Sequence, residues 1–247
     1  MNWIDVWGDD IVHNKKIYIT VITLFFISAL VTFFLYEYEM YLINSGKNFM
    51  SVNETINLYK KKKNINENVD DLIELARLYS VNKEYEKSKE YLLKALEKEP
   101  KNTIALHRLA LVYENLNDFN KAIETRQKLV DIEPQKPENH YYYAILLLTK
   151  DINVSINEIE LAVKYADESD KQFYMEMLEL FKNSSKFIDE EKYDGYIDII
   201  NSKFLESNNN VKLEIIKNIR SKYRNLKIED INKLENLEKE IKNNKIN

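Results

Sequence analysis

The sequence predicts an all-α chain: an N-terminal transmembrane helix, then an α-solenoid of stacked helix pairs with C-terminal capping helices. Three observations carry this. The 247 residues hold three glycines, three prolines and no cysteine. One 20-residue run lacks any charged side chain. A self-similarity of period 34 covers the middle of the chain. So few breakers cannot punctuate a sandwich or barrel, whose turns recur every ~8–12 residues. Without cysteine there is no disulfide framework, thiolate zinc site or cysteine nucleophile.

Composition sets further bounds. Lys, Asn, Ile and Tyr make up 105 of the 247 residues. All four have AT-rich codons, so Lys and Asn are discounted as signals wherever they occur. A formal charge of −5 gives no bulk attraction to nucleic acid. Hydrophobic residues at 45% are enough for a packed core.

Residues 1–16 precede the span and are expected on the cytoplasmic side. Trp3, Trp7 and Ile11 recur every four residues, as in an interfacial helix or a frayed terminus with two anchoring tryptophans. Ile17 to Tyr36 is the predicted transmembrane helix. At ~1.5 Å per residue it matches the hydrocarbon thickness of ~30 Å. Its 13 Ile, Leu, Val and Phe residues contribute about −4 to −8 kcal/mol to insertion. Tyr36, Tyr38 and Tyr41 follow as an aromatic belt. The run is too long for a signal-peptide core and ends in bulky residues, which predicts an uncleaved signal anchor.

Lys15 and Lys16 sit directly before the span, and only Lys47 follows closely. This bias places the N-terminus in the cytoplasm and the C-terminal part outside. Lys60 to Lys63 argues for the opposite orientation but lies beyond the usual window. Residues 37–68 read as a helical linker, with Ser45-Gly46 interrupting it and a helix over Asn53 to Lys63. The lysine run is either a solvated face or a contact with anionic lipid.

Residues 69–102 and 103–136 superpose without a gap. Leu72, Leu75, Ala76, Tyr79, Tyr85, Ser88, Leu96 and Pro100 fall on Leu106, Leu109, Ala110, Tyr113, Phe119, Ala122, Val130 and Pro134. Bulky residues recur at helical spacing, small ones stand where two helices approach, and proline closes each unit. This pattern resembles the tetratricopeptide repeat (TPR) family, which also wants a second small residue. Ala95 supplies it in the first unit, and Leu129 replaces it in the second. A third unit, 137–169, matches through His140, Tyr143-Ala144 and Leu147. Its second helix carries Ile156, Ile159, Ala162 and Val163, is one residue short, and lacks the closing proline.

Residues 170–247 follow as a degenerate repeat and caps. Phe173, Met177, Leu180 and Phe181 form one stripe, and Tyr193, Tyr196, Ile197 and Ile200 another. Val211, Ile215, Ile219 and Tyr223 predict one cap helix. Leu226, Ile231, Leu234, Leu237 and Ile241 predict a second, packed on the solenoid rather than in a coiled coil. Stacking is required because one helix pair cannot bury its own apolar face.

No catalytic constellation is found, so no enzyme, metal site, cofactor or small-molecule substrate is expected. His13, His107 and His140 are scattered and lack carboxylates at ligand spacing. Three glycosylation sequons are expected by chance in an Asn-rich chain. The resemblance implies a partner-binding groove lined by the second, fifth, ninth and twelfth positions of each first helix. These are Asp70, Ile73, Arg77 and Ser80; Ile104, His107, Leu111 and Glu114; and Glu138, Tyr141, Ile145 and Leu148. This mixed surface suits an extended or helical peptide. For Leu111, Ile145 and Leu148 the alternative is packing against neighbouring helices. One TPR subfamily clamps chaperone carboxylates with Lys and Asn where this chain has Ile73 and Arg77, which disfavours that ligand. The function expected is a membrane-anchored scaffold presenting a groove to protein or peptide partners. It would stand at the cell envelope, on the periplasmic side of a bacterial inner membrane, without nucleic acid. The alternative is a cytoplasm-facing receptor or co-chaperone for targeted clients.

Overall fold

A computed structural model describes residues 51–62, 68–188, 192–223 and 226–244. The predicted span 17–36, and with it Trp3, Trp7, Lys15, Lys16, Tyr36 and Tyr38, lies outside the described residues. Among the described residues no helix is long and apolar enough to cross a membrane, and no strand occurs.

Ser51 to Glu54 forms a capping box, with the Ser51 amide donating to Glu54 Oε2 at 2.8 Å. It opens α1 (Val52–Lys61). Two linker lysines at its C-terminal end contact the protein itself. Lys62 Nζ lies 2.7 Å from Asp71 Oδ1, and Lys60 sits over the Tyr79 ring at 5.5 Å. These two exposed lysines thus have intramolecular partners.

From Thr55 onward the chain forms one compact unit. The first two repeats are α2 (Val69–Val81) with α3 (Tyr85–Lys98), and α4 (Thr103–Asn115) with α5 (Phe119–Ile132). The third is α6 (Pro137–Leu147) with α7 (Ile152–Tyr165). Each of these helices packs on the next, and α2 also meets α4. Starts and stops follow local chemistry. Asn68 and Asn102, 34 positions apart, cap α2 and α4 by accepting from the Asp71 and Ala105 amides. At the third equivalent position Lys136 gives no side-chain cap, and Pro137 pre-sets the first turn instead.

The missing residue of the third unit lies in its turn. In the first two repeats the second helix begins 16 positions after the first, and in the third 15. Lys83 and Asn117, again 34 apart, turn the first two corners with φ of 60° and 58°. Among the described residues no other non-glycine has positive φ, so the third corner closes without this conformation. After the shortened turn the register resumes. Ser155 then stands at the Ser88 and Ala122 position, is fully buried, and donates to the Ala144 carbonyl at 2.7 Å. Small residues are required here because the two helices of a pair approach closely.

The fourth pair is irregular. α8 (Glu168–Ser185) packs on α7, but its partner α9 (Asp194–Ile200) has only seven residues. A Cβ added at Gly195 would overlap the Ser184 carbonyl, so this glycine permits the close approach of α9 to the end of α8. A 3₁₀ turn (Lys203–Leu205) leads to α10 (Asn209–Lys222) and α11 (Ile228–Asn244).

The two C-terminal helices pair, and Val211, Ile215, Ile219 and Tyr223 are all buried. Their placement differs from a cap stacked on the last pair. α10 lies against α4, reaching back to the second repeat. Asn210 Nδ2 donates to the Glu114 carbonyl at 3.1 Å, and Asn218 Nδ2 to the Thr149 carbonyl at 2.7 Å. Eight residues of helix span ~12 Å, so one face of α10 satisfies carbonyls at the ends of two successive first helices. The second stripe is only partly covered: Leu234 and Ile241 are buried, while Ile231 is exposed.

Candidate functional site: a half-open groove

The face lined by α2, α4 and α6 is divided along the helices. Its C-terminal half is filled by the chain itself. Tyr141 Oη donates to the Phe204 carbonyl at 3.4 Å, and the Phe173 ring meets those of Tyr141 and Phe204 at 5.6 and 5.2 Å. Ile145 and Leu148, each 2% exposed, join one buried cluster with Phe204, Leu205, Ile215 and Ile219. Of the groove positions expected in the third repeat, two are therefore core and Tyr141 is half-buried. The returning C-terminal segment supplies the neighbours that the repeat pattern alone does not encode.

The N-terminal half stays open. A cleft of about 430 Å³ lies there, lined among others by Ile104, His107, Arg108, Leu111, Glu138 and Tyr142. Ile104 is 58% and Leu111 38% exposed. Leu111 thus stays partly exposed on the cleft, unlike the buried Ile145 and Leu148. In the first repeat Ile73 is buried, Ser80 is engaged with Ser88 at 2.8 Å, and Arg77 pairs with Glu74 at 2.6 Å. Asp70 is exposed.

Beneath the cleft lies a polar network centred on Arg126, a residue the repeat comparison did not single out. It is 1% exposed. Its Nη1 donates to His107 Nδ1 at 2.8 Å, and its Nη2 lies 3.3 Å from Glu114 Oε1. The guanidinium also stands 4.8 Å from the Tyr142 ring centre, where the aromatic face attracts a cation. Because arginine only donates, His107 Nδ1 must accept, which leaves the ring proton on Nε2. Burial, and then the Arg126 charge, push the His107 pKa down to about 4, so the ring is neutral at physiological pH. Burial raises the Glu114 pKa, and Arg126 opposes the rise.

The signal for this network was present in the self-comparison. Moving 34 residues back from His107, Glu114 and Arg126 reaches Ile73, Ser80 and Leu92. Leu92 is fully buried, so Arg126 occupies a core position. Three apolar or small residues of the first repeat thus become a charged triad in the second. In the third, Tyr141, Leu148 and, after the one-residue deletion, Ile159 restore an uncharged set.

His140 forms a second buried polar link. Its Nδ1 lies 2.8 Å from Glu158 Oε2 and its Nε2 2.9 Å from the Pro134 carbonyl. Burial pulls its pKa down, but the bonds to Glu158 and Pro134 outweigh this and the net shift is upward. Two acceptors on one ring favour the imidazolium. His140 therefore ties the closing proline of one repeat to the second helix of the next.

Comparison with known proteins finds matches to part of this region. Residues 72–102 match one model described as a tetratricopeptide repeat, and residues 91–124 match another. No curated protein matches the chain. Among solved structures, a mutant O-GlcNAc transferase from Thermobaculum terrenum is similar at 17% identity with a TM-score of 0.41. The match covers 56% of this chain and 26% of that one, so the chain spans about a quarter of its length. Residues 72–124 thus match tetratricopeptide-repeat models, and the described residues form helices and no strands.

Proposed function

We propose that this protein is a membrane-tethered adaptor that holds a partner protein through the open half of its repeat groove. The observation carrying this reading is the pair of exposed aliphatic side chains, Ile104 and Leu111, on a cleft wall that the chain's own C-terminal segment leaves uncovered. Tetratricopeptide repeats generally mediate protein–protein interaction, and a mixed apolar and charged cleft of this size suits a peptide segment. Tethering rests on the uncharged run Ile17 to Tyr36. The Lys15-Lys16 pair before it supports placing the repeats outside the cytoplasm, on the periplasmic side of a bacterial inner membrane. Restricting the groove to the membrane plane raises its effective concentration toward partners in that plane.

Two measurements test the reading together. The full-length protein is expected to stay in the membrane pellet after carbonate extraction, and a variant lacking residues 17–36 to be released. Affinity capture from envelope extracts is expected to enrich a partner with the native chain and not with Ile104→Asp/Leu111→Asp. Equal enrichment by both would contradict the groove assignment. Release of the native chain by carbonate would contradict the tether.

A further inference from the structure

Four cations line or underlie the open half of the groove, and three of them hold a carboxylate. Arg77 holds Glu74 at 2.6 Å, Lys136 holds Glu133 at 3.2 Å, and Arg126 holds Glu114 at 3.3 Å. Arg108 makes no ion pair among the described residues, and its Nε is buried without a hydrogen-bond partner. Burial lowers its pKa, and the two charges acting on it, Glu74 and Arg77, belong to one ion pair and oppose each other. Glu138, on the opposite wall, is exposed and makes no ion pair with it. Arg108 is half-buried on the cleft wall, and a partly desolvated guanidinium without an ion-pair partner gains when a ligand supplies the opposite charge.

The position of Arg108 says what that something is. Ile104, Arg108 and Leu111 are spaced by four and three, so they form one stripe of α4. The unpaired cation thus sits between two exposed aliphatic side chains. Beside it His107 keeps a proton on Nε2, the remaining ring donor on the cleft wall. We propose that the groove's partner is an acidic peptide segment whose Asp or Glu side chain pairs with Arg108 and whose flanking apolar residues cover Ile104 and Leu111. This rests on the groove reading above. It requires neither a chain-terminal carboxylate nor a clamp of several cations, since among the described groove cations named above only Arg108 lacks an ion pair.

The test selects phage-displayed random dodecapeptides on the full-length protein in detergent micelles, then measures the binders by fluorescence polarisation. The expected binders carry Asp or Glu beside Leu, Ile or Phe. Arg108→Met is expected to weaken them at least tenfold, as is Glu→Gln in the peptide, with the two changes non-additive. The melting temperature of Arg108→Met is expected to be unchanged or raised, because its charge has no partner in the free fold. In ¹⁵N-arginine-labelled protein, with five arginines in all, the Arg108 Nε–H resonance is expected to shift on peptide binding. Binders without acidic enrichment would overturn the proposal, as would binding within twofold for Arg108→Met or a lowered melting temperature for that variant. If such binders still fail on Ile104→Asp, the groove reading survives and only the acidic anchor falls. Binders indifferent to Ile104→Asp, or no binders at all, overturn both. Tighter binding of phosphoserine peptides than of their Glu counterparts would overturn the carboxylate assignment.

Discussion

Arg126 Nη1 donates to His107 Nδ1 across 2.8 Å in the interior of the second repeat, directly under the open cleft. The equivalent pair in the first repeat is Leu92 and Ile73, both buried. One repeat therefore solves the same packing problem with a charged triad that its neighbour solves with aliphatic side chains.

This contrast makes the triad testable as a unit. Arg126→Leu alone leaves Glu114 buried without its counter-charge and is expected to destabilise the fold by ~3–5 kcal/mol. The triple variant His107→Ile/Glu114→Ser/Arg126→Leu, which copies the first repeat, is expected to be neutral or stabilising by ~1–4 kcal/mol. Urea unfolding of the two variants checks this. Single and triple changes of equal cost would mean the triad does not act as one group.

The half-buried His107 and the buried His140 set opposite pH limits. In the fold His107 is pushed down to about 4, below the ordinary histidine value of about 6.5, so the unfolded chain binds its proton first. Stability is expected to fall as pH drops from 6.5 toward 4. His140 is shifted upward, so its contribution is present below pH 6.5 and is lost as pH rises through the folded value. Denaturation midpoints across pH should peak between these limits. Glu158→Gln should remove the alkaline loss and Arg126→Leu should move the His107 titration upward, both readable by NMR of the ring protons.

Gly195 is expected to tolerate no side chain. Gly195→Ala drives a methyl into the Ser184 carbonyl, and a loss of ~1–3 kcal/mol is expected from the forced shift. Thermal unfolding measures it. No loss would mean that α9 can move away from α8 freely.

Lys83 carries the opposite expectation. It adopts φ of 60° where its repeat equivalent is Asn117, a residue better suited to that conformation. Lys83→Gly is expected to stabilise by about 0.5–1 kcal/mol, and Lys83→Asn by less, in the same unfolding assay.

The repeat helices were legible because their determinants are local and periodic. Ala76 and Ala110 mark close approaches, Pro137 starts a helix, and a 34-residue offset aligns everything between. The one-residue deficit of the third unit was also legible, though not its location in the turn. The groove was only half legible. Its C-terminal half is covered through contacts such as Asn210 with Glu114 and Tyr141 with Phe204, which are 96 and 63 residues apart. No spacing rule connects such pairs. Arg126 was missed for another reason: a charged residue in a lysine-rich chain reads as surface unless its repeat equivalent, Leu92, is consulted.

The central claim is that the open half of the groove, and not the outer helices, meets the partner. Photo-crosslinking in native membranes tests it most directly. A benzophenone amino acid would be placed in turn at Ile104 and Leu111, and at the exposed second-helix positions Leu93 and Val154. The account predicts a discrete crosslinked partner from Ile104 and Leu111 and none from Leu93 or Val154. Crosslinks from Leu93 or Val154 with none from the cleft positions would contradict it.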